Sequence, residues 1–457
     1  MATFDKKAPG VYVEEISKLP PSVASVATAI PGFVGYTEKG TKDTAIRVES
    51  LIDFEEKFGY ACKIAIPDEE NKINGLEYKG LEYKLHESMR LFYANGGGIC
   101  YVVSVGNYTD AISNTALETG ISMLEPIDEV TMIVVPDAVS LEIEDLASVQ
   151  NAALKQCLEL KDRVAILDVT DTGNCNKDAT NFRNSIGTKG ASYGAAYYPY
   201  IKSVYDREIN VYDIYKGLEL NEKELEYAQN YAGLSEPTEE STLFAKQLMS
   251  KPEYAELVAK IQEQANLLPP SGAIAGIYCA NDNQRGVWHA PANMSVSGIS
   301  DINVRISDKQ QGDLNEDTSG KCINAIRAFQ GKGILVWGAR TLDGLSSEWK
   351  YISVRRFFNY VEESIQESTA WAVFQPNDAN TWVKVRCQIE NFLSNLWRDG
   401  ALAGSTPQEA FYVRVGINQT MTAQDILNGY MIVEIGMAAV RPAEFIVLQF
   451  SHKLQES

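Results

Sequence analysis

MIVVPDAVSLEIEDLASVQNAALKQCLELKDRVAILDV, residues 132–169, contains two short apolar runs separated by a polar-punctuated stretch. Met132-Ile133-Val134-Val135 and Val164-Ala165-Ile166-Leu167 are apolar without alternation, as strands covered on both faces are. Between them Leu146, Val149, Leu154 and Leu158 recur close to helical spacing. Strand, helix and strand in that order predict an α/β layer with at least partly parallel strands. Ile99-Cys100-Tyr101-Val102-Val103 repeats the strand pattern upstream, and the reading extends over residues 31–300.

Within that span, residues 203–268 turn charged and helical, with Glu222, Lys223, Glu224, Glu226, Glu236, Glu239 and Glu240, and read as a solvated insertion. Residues 301–440 have a different rhythm. Val354, Phe358, Val361 and Ile365 define the buried stripe of one helix. Trp382, Val385, Ile389, Phe392 and Leu396 define another, which begins after Asn380 and stops at Gly400. Tyr412 to Val415 suggests a strand, Ala423 to Leu427 a short helix, and Met431, Val433, Ile435 and Met437 one face of a longer strand. The second domain is therefore α+β, which makes the fold class mixed, α/β with α+β.

Both ends look like arms. Residues 1–30 carry Pro9, Pro20 and Pro21 and a short β-type run, Val11-Tyr12-Val13-Glu14-Glu15-Ile16. Residues 441–457 carry Glu444-Phe445-Ile446-Val447-Leu448-Gln449-Phe450, apolar on both sides, which left uncovered would invite aggregation. Pairing within the chain and donation to a neighbouring chain's sheet are both open from pattern alone.

The 457 residues exceed what one core accommodates, and 45% hydrophobic with 22% charged residues is ordinary globular composition. Lys and Arg total 41 against 61 Asp and Glu, and the net charge of -20 repels phosphate backbones and anionic lipid. Nucleic acid is not an expected partner. MATFDKKAPG has no apolar stretch after its lysines, and no run of about 18 apolar residues follows anywhere, so neither a standard signal peptide nor membrane insertion is expected. Seven scattered cysteines, never in a C-x-x-C pair, read as thiols of a reducing cytoplasm, and His86, His289 and His452 lack metal-ligand spacing. No metal or cofactor is expected.

Three stretches invite an enzymatic reading. Gly190-Ala191-Ser192-Tyr193-Gly194 fits the G-x-S-x-G elbow, with Asp282 and His289 following in hydrolase order. An elbow needs a strand before the serine and a helix after it, whereas NSIGTKG precedes and strand-like AAYYPYI follows. Gly96-Gly97-Gly98 leads into a strand and reads as a helix-ending turn, not a phosphate cradle. Asp137 ends a strand where α/β enzymes keep ligands, but lacks an evident partner group. No catalytic residue is assigned.

Several longer motifs carry a resemblance. APGVYVEEI (8–16), Pro21-Ser22-Val23 and TAIPGFVGYT (28–37) open the chain. PPSGAIAGIYCANDNQRGVWHAPAN (269–293), INAIRAFQGKGILVWGARTL (323–342), YISVRRFFNYVEESI (351–365), FQPND (374–378), LWRDGALAGSTPQEAF (396–411) and RPAEFIVLQFSHKL (441–454) follow in order. Together they resemble the contractile tail sheath proteins of phages, pyocin-like particles and extracellular injection systems; residues 203–268 carry no motif that shares in the resemblance.

The resemblance implies a non-enzymatic, mechanical subunit made in the bacterial cytoplasm. It would stack as six-subunit rings around an inner tube, contact baseplate and cap proteins, and contract from a metastable state. It implies a C-terminal sheath core completed by terminal strands crossing between subunits, through Val11, Tyr12, Val13, Glu14 and Ile16 at one end and Phe445, Ile446, Val447, Leu448 and Phe450 at the other. Leu19-Pro20-Pro21 and Ala438-Ala439-Val440 would be hinges. The helix before LWRDGAL would face the tube through Lys384, Gln388, Asn391, Asn395 and Arg398. A coat protein that never contracts, and a hydrolase using Ser192, are the alternatives.

Overall fold

The structure, a computed structural model, describes residues 23–64, 80–209, 224, 226 and 238–445. The chain divides into two compact units, one of residues 26–362 and 440–457, the other of residues 1–25 and 363–439.

The larger unit is built on strands β1 (Pro31–Thr37), β2 (Ala45–Val48), β3 (Cys100–Asn107), β4 (Met132–Val134), β5 (Val164–Asp168), β6 (Gly194–Tyr198), β7 (Ile201–Ser203), β8 (Leu267–Leu268), β9 (Met294–Ser295), β10 (Ile299–Ile302), β11 (Ile323–Phe329) and β12 (Gly333–Val336). Nine of them form one sheet in the order β2-β3-β1-β4-β5-β6-β11-β12-β9. The run from β3 to β11 is parallel, and β2, β12 and β9 are antiparallel additions at the edges. The apolar runs at 132–135 and 164–167 become the adjacent parallel strands β4 and β5, joined through the helix Ile143–Leu160. Leu158 departs from the expected stripe and is 38% exposed near that helix's C-terminus.

Continuous apolar strands follow from cover on both faces. Ala165 and Leu167 of β5 face one core cluster, with Val149 and Leu154 of the crossover helix and Phe182 of the helix Cys175–Ser185. Val164 and Ile166 face a second, with Phe92 of the helix Leu85–Ala94 and Ile274 and Tyr278 of the helix Ser271–Arg285. A pleated strand alternates its side chains, so each must be apolar when helices cover both sides.

The helix Ser271–Arg285 lies unusually close to the helix Leu85–Ala94. A Cβ on Gly272 would stand 2.6 Å from Ser88 O, and one on Gly276 2.4 Å from Phe92 O. Both obstacles are main chain and cannot rotate away. Gly276→Ala is therefore expected to lower stability by about 1–3 kcal/mol through overpacking, read as a lower Tm of the unassembled chain. A Tm equal to that of the parent would mean the helices can part without cost.

Two sequence expectations shift. The division placed at 300/301 lies at 362/363, because β11 pairs in parallel with β6 and carries the α/β sheet far past residue 300. Residues 203–268 are not simply a solvated excursion: Leu257, Ile261 and Ala265 of the helix Pro252–Ala265 pack with Ile64 in a small core of their own. Of the charged residues singled out there, Glu222, Lys223 and Glu236 lie outside the described residues.

In the smaller unit, the helix Ala379–Arg398 buries Val385, Ile389, Phe392 and Leu396 as its stripe predicts. Asp378 caps it by accepting from Thr381 N at 3.0 Å, and Gly400, at φ +84°, ends it. β13 (Phe411–Arg414) and β14 (Glu434–Met437) pair antiparallel, and Ala423–Leu427 is the expected short helix between them. The strand expected from Met431 begins only at Glu434.

Candidate functional site

The enzymatic stretches resolve into structural roles. Ser192 sits in a 3-10 turn, Ala191–Tyr193, entered through Gly190 at φ +71° and leading directly into β6. That is turn and strand, not strand, elbow and helix. Asp282, the acid of the hypothetical triad, is buried and receives both Arg356 Nη1 and Nη2, at 3.0 and 2.6 Å. Gly97 N donates to Phe92 O, so the triple glycine winds up the helix Leu85–Ala94.

Asp137 is fully buried, where Tyr36 N at 2.7 Å and Lys84 N at 2.5 Å donate to its carboxylate. Gly35 has no Cβ because one would meet Asp137 Oδ2 at 2.5 Å. Burial pushes the Asp137 carboxyl up to about 7, against the pull of those amide donors. The strand end where a ligand would rest in an α/β enzyme is thus closed by the protein's own side chain. Among the described residues no group of His, Cys, Asp and Glu has metal-binding geometry, and no helix is long and apolar enough to cross a membrane.

The segments expected as arms meet the described chain through specific polar contacts. Residues 11–16, the hinge at 19–21, and Ile446, Val447, Leu448 and Phe450 lie outside the described residues, but the roots of both arms are described. At the N-terminal root, Ala24 N donates to Ser368 Oγ at 3.1 Å within the smaller unit. In the larger unit, Arg356 Nη2 donates to Thr28 O at 2.9 Å and Ile30 N to Thr131 Oγ1 at 2.9 Å.

At the C-terminal root, Glu444 accepts from Arg340 Nε at 2.8 Å and Nη2 at 2.6 Å, and from Tyr351 Oη at 3.0 Å. Lys350 Nζ stands 3.9 Å away. The Arg340 side chain is 2% exposed and that of Glu444 21%. Burial alone would raise the Glu444 pKa, but the Arg340 bonds and charge outweigh it and hold the carboxyl below its usual value. The next residue, Phe445, is 72% exposed.

Of the residues expected as a hinge, 438–440, two are held by main-chain pairing. Ala438 N donates to Ala410 O and Ala438 O accepts from Ala403 N, at 2.8 and 2.7 Å, while Ala439 bridges to Leu402. Those bonds continue β14 and fix both alanines in the smaller unit. Its β13–β14 sheet has just two strands among the described residues.

On the helix Ala379–Arg398, Lys384, Asn391, Asn395 and Arg398 are exposed. Gln388 is not. It is 2% exposed, accepts from Trp371 Nε1 at 2.8 Å and donates to Ser368 O at 2.9 Å. Its position, three residues after Val385 and four before Phe392, puts it on the apolar stripe. Sequence reasoning passed over Arg340, Asn324 and Arg356, although each is a polar residue inside an apolar motif, which was the available signal.

Comparison with known proteins gives two family matches: the phage tail sheath protein central domain over residues 110–342 and the phage tail sheath C-terminal domain over residues 346–453. The chain is 23% identical over 193 residues to the tail sheath protein of Vibrio phage KVP40, covering 42% of this chain and 27% of that protein. It is similar in structure to the sheath of an extracellular contractile injection system, the PVC sheath complex in the contracted state, with TM-score 0.68, 32% identity and 99% of each chain covered. The contracted helical sheath of the anti-feeding prophage matches with TM-score 0.66 and 30% identity, over 97% of this chain and 99% of that one.

Proposed function

We propose, for a chain that belongs to the phage tail sheath family and forms the contractile sheath of a phage tail or injection particle, that it works as a non-enzymatic subunit of stacked six-subunit rings. The rings assemble in the bacterial cytoplasm around an inner tube, between baseplate and cap proteins. Contraction to a lattice of lower free energy drives the tube through a target envelope.

Two observations carry this reading: the β13–β14 sheet of the smaller unit has two strands among the described residues, and the roots of both arms are held. A two-stranded sheet is marginal in water and gains from additional strands. The N-terminal run around Val11–Ile16 and the C-terminal run from Phe445 to Phe450 supply them by β-augmentation from neighbouring subunits. At about 4–6 hydrogen bonds per arm and a net ~1 kcal/mol each, a donated strand contributes several kcal/mol to each link. The contacts join different patches on successive subunits, and such heterologous contacts generate helical tubes. Lys384, Asn391, Asn395 and Arg398 give the exposed polar side of the helix Ala379–Arg398, which faces the tube.

Electron microscopy of the full-length chain beside one lacking residues 1–16 tests this. Long hollow tubes from the parent and none from the truncation are expected. Tubes of equal length and number from both would refute strand donation by the N-terminal arm. Discrete small particles from the parent, even with a tube template supplied, would refute the sheath lattice itself.

A further inference from the structure

We infer that Arg340 and Glu444 form the fixed root of the C-terminal arm, a half-buried clasp that sets where the arm leaves its own subunit for the next one. The inference rests on the arm-donation reading above.

Arg340 is built to hold something. Its main chain is locked by Asn324, whose Nδ2 donates to Arg340 O at 2.8 Å and whose Oδ1 accepts from Arg340 N at 2.7 Å. The side chain runs through the interior and spends Nη1 on Asn315 O at 2.8 Å. Its remaining prongs, Nε and Nη2, take the two oxygens of Glu444, one each. Two parallel charge-assisted bonds fix the direction of the carboxylate as well as its position.

The order of features along the chain gives the clasp its meaning. Ala438 and Ala439 are held in the smaller unit, Glu444 is held in the larger, and Phe445 is already exposed. A guanidinium this deeply buried is tolerable only while it is paired. Releasing residue 444 would strand it, so a pull on the arm is resisted at Glu444 and passed through Arg340 and Asn324 to β11 and β6. The strand that a neighbour receives then starts at Phe445, in a fixed register.

One truncation and two full-length variants test this, each compared with the parent for Tm of the unassembled chain and for the critical concentration of sheath assembly. A chain ending at Glu444 is expected not to assemble, with its Tm unchanged. Glu444→Gln is expected to lower the Tm and to raise the critical concentration about tenfold or more. The double variant Arg340→Met/Glu444→Gln removes the stranded charge, so its Tm is expected to return most of the way. Its critical concentration is expected to stay about tenfold above the parent's, because the arm root is still unheld. Recovery of both properties in the double variant would make the pair merely structural and overturn the inference, as would normal assembly of Glu444→Gln. Normal assembly of the chain ending at Glu444 would instead remove C-terminal strand donation, and the clasp's role with it.

Discussion

Asp282→Ala is expected to destabilise the larger unit by about 3–5 kcal/mol, the cost of stranding a buried charge. The side chains of Arg356, on the helix Ile352–Ser368, and Asp282 are each 3% exposed. The guanidinium spans both Asp282 oxygens and Thr28 O, and lies 4.6 Å from the Tyr278 ring centre. Without the carboxylate, one carbonyl and an aromatic face remain to offset its desolvation. Denaturant unfolding of the unassembled chain measures the loss. The double variant Asp282→Leu/Arg356→Met is expected to restore most of it, since replacing both halves of a buried pair with apolar groups is often neutral. A loss below about 1 kcal/mol for Asp282→Ala would mean that water reaches Arg356 and that the pair is not a core feature.

Asn324→Leu is expected to cost about 2–4 kcal/mol at nearly constant side-chain size. Asn324 is wholly buried in β11 and makes three hydrogen bonds, to Ala196 O at 3.1 Å and to the N–H and C=O of Arg340. Leucine answers none of them, and each buried polar group left unmet costs about 1–3 kcal/mol, less where a second partner takes over. Gly338 leaves the space the amide needs, since a Cβ there would stand 2.7 Å from Asn324 Oδ1. The same unfolding measurement reads the effect, and an unchanged midpoint would show that the amide only fills space.

The α/β layer was legible in the sequence because its strands are short, apolar and separated by a helix with a clear stripe. The 132–169 unit folds as its pattern requires, and the helix starting after Asp378 keeps its predicted core face. The domain boundary was not legible, because β11 is identified as part of the first sheet only by its partner β6, and periodicity carries no information about partners. Gln388 was misplaced for a related reason: a polar residue on an apolar stripe is satisfied by Trp371 and Ser368, whose nearness is tertiary. The arm strands read from the sequence lie almost wholly outside the described residues, and the residues that hold their roots were not legible, since an isolated arginine has no period.

The pairing of β6 with β11 has a further consequence for how a new chain reaches its native state. Asn324 bonds Ala196 across 128 residues of sequence, and that contact joins the first five parallel strands to the last. Loop-closure entropy grows slowly with length, so the finished protein is weakened little by so long a detour. The rate is another matter, because contacts this distant form late and leave an open strand edge in the meantime. During synthesis β1 to β6 emerge well before β11, so β6 waits as an uncovered template while the intervening residues are made. A chain proposed to add strands to its neighbours must complete its own sheet before it meets them.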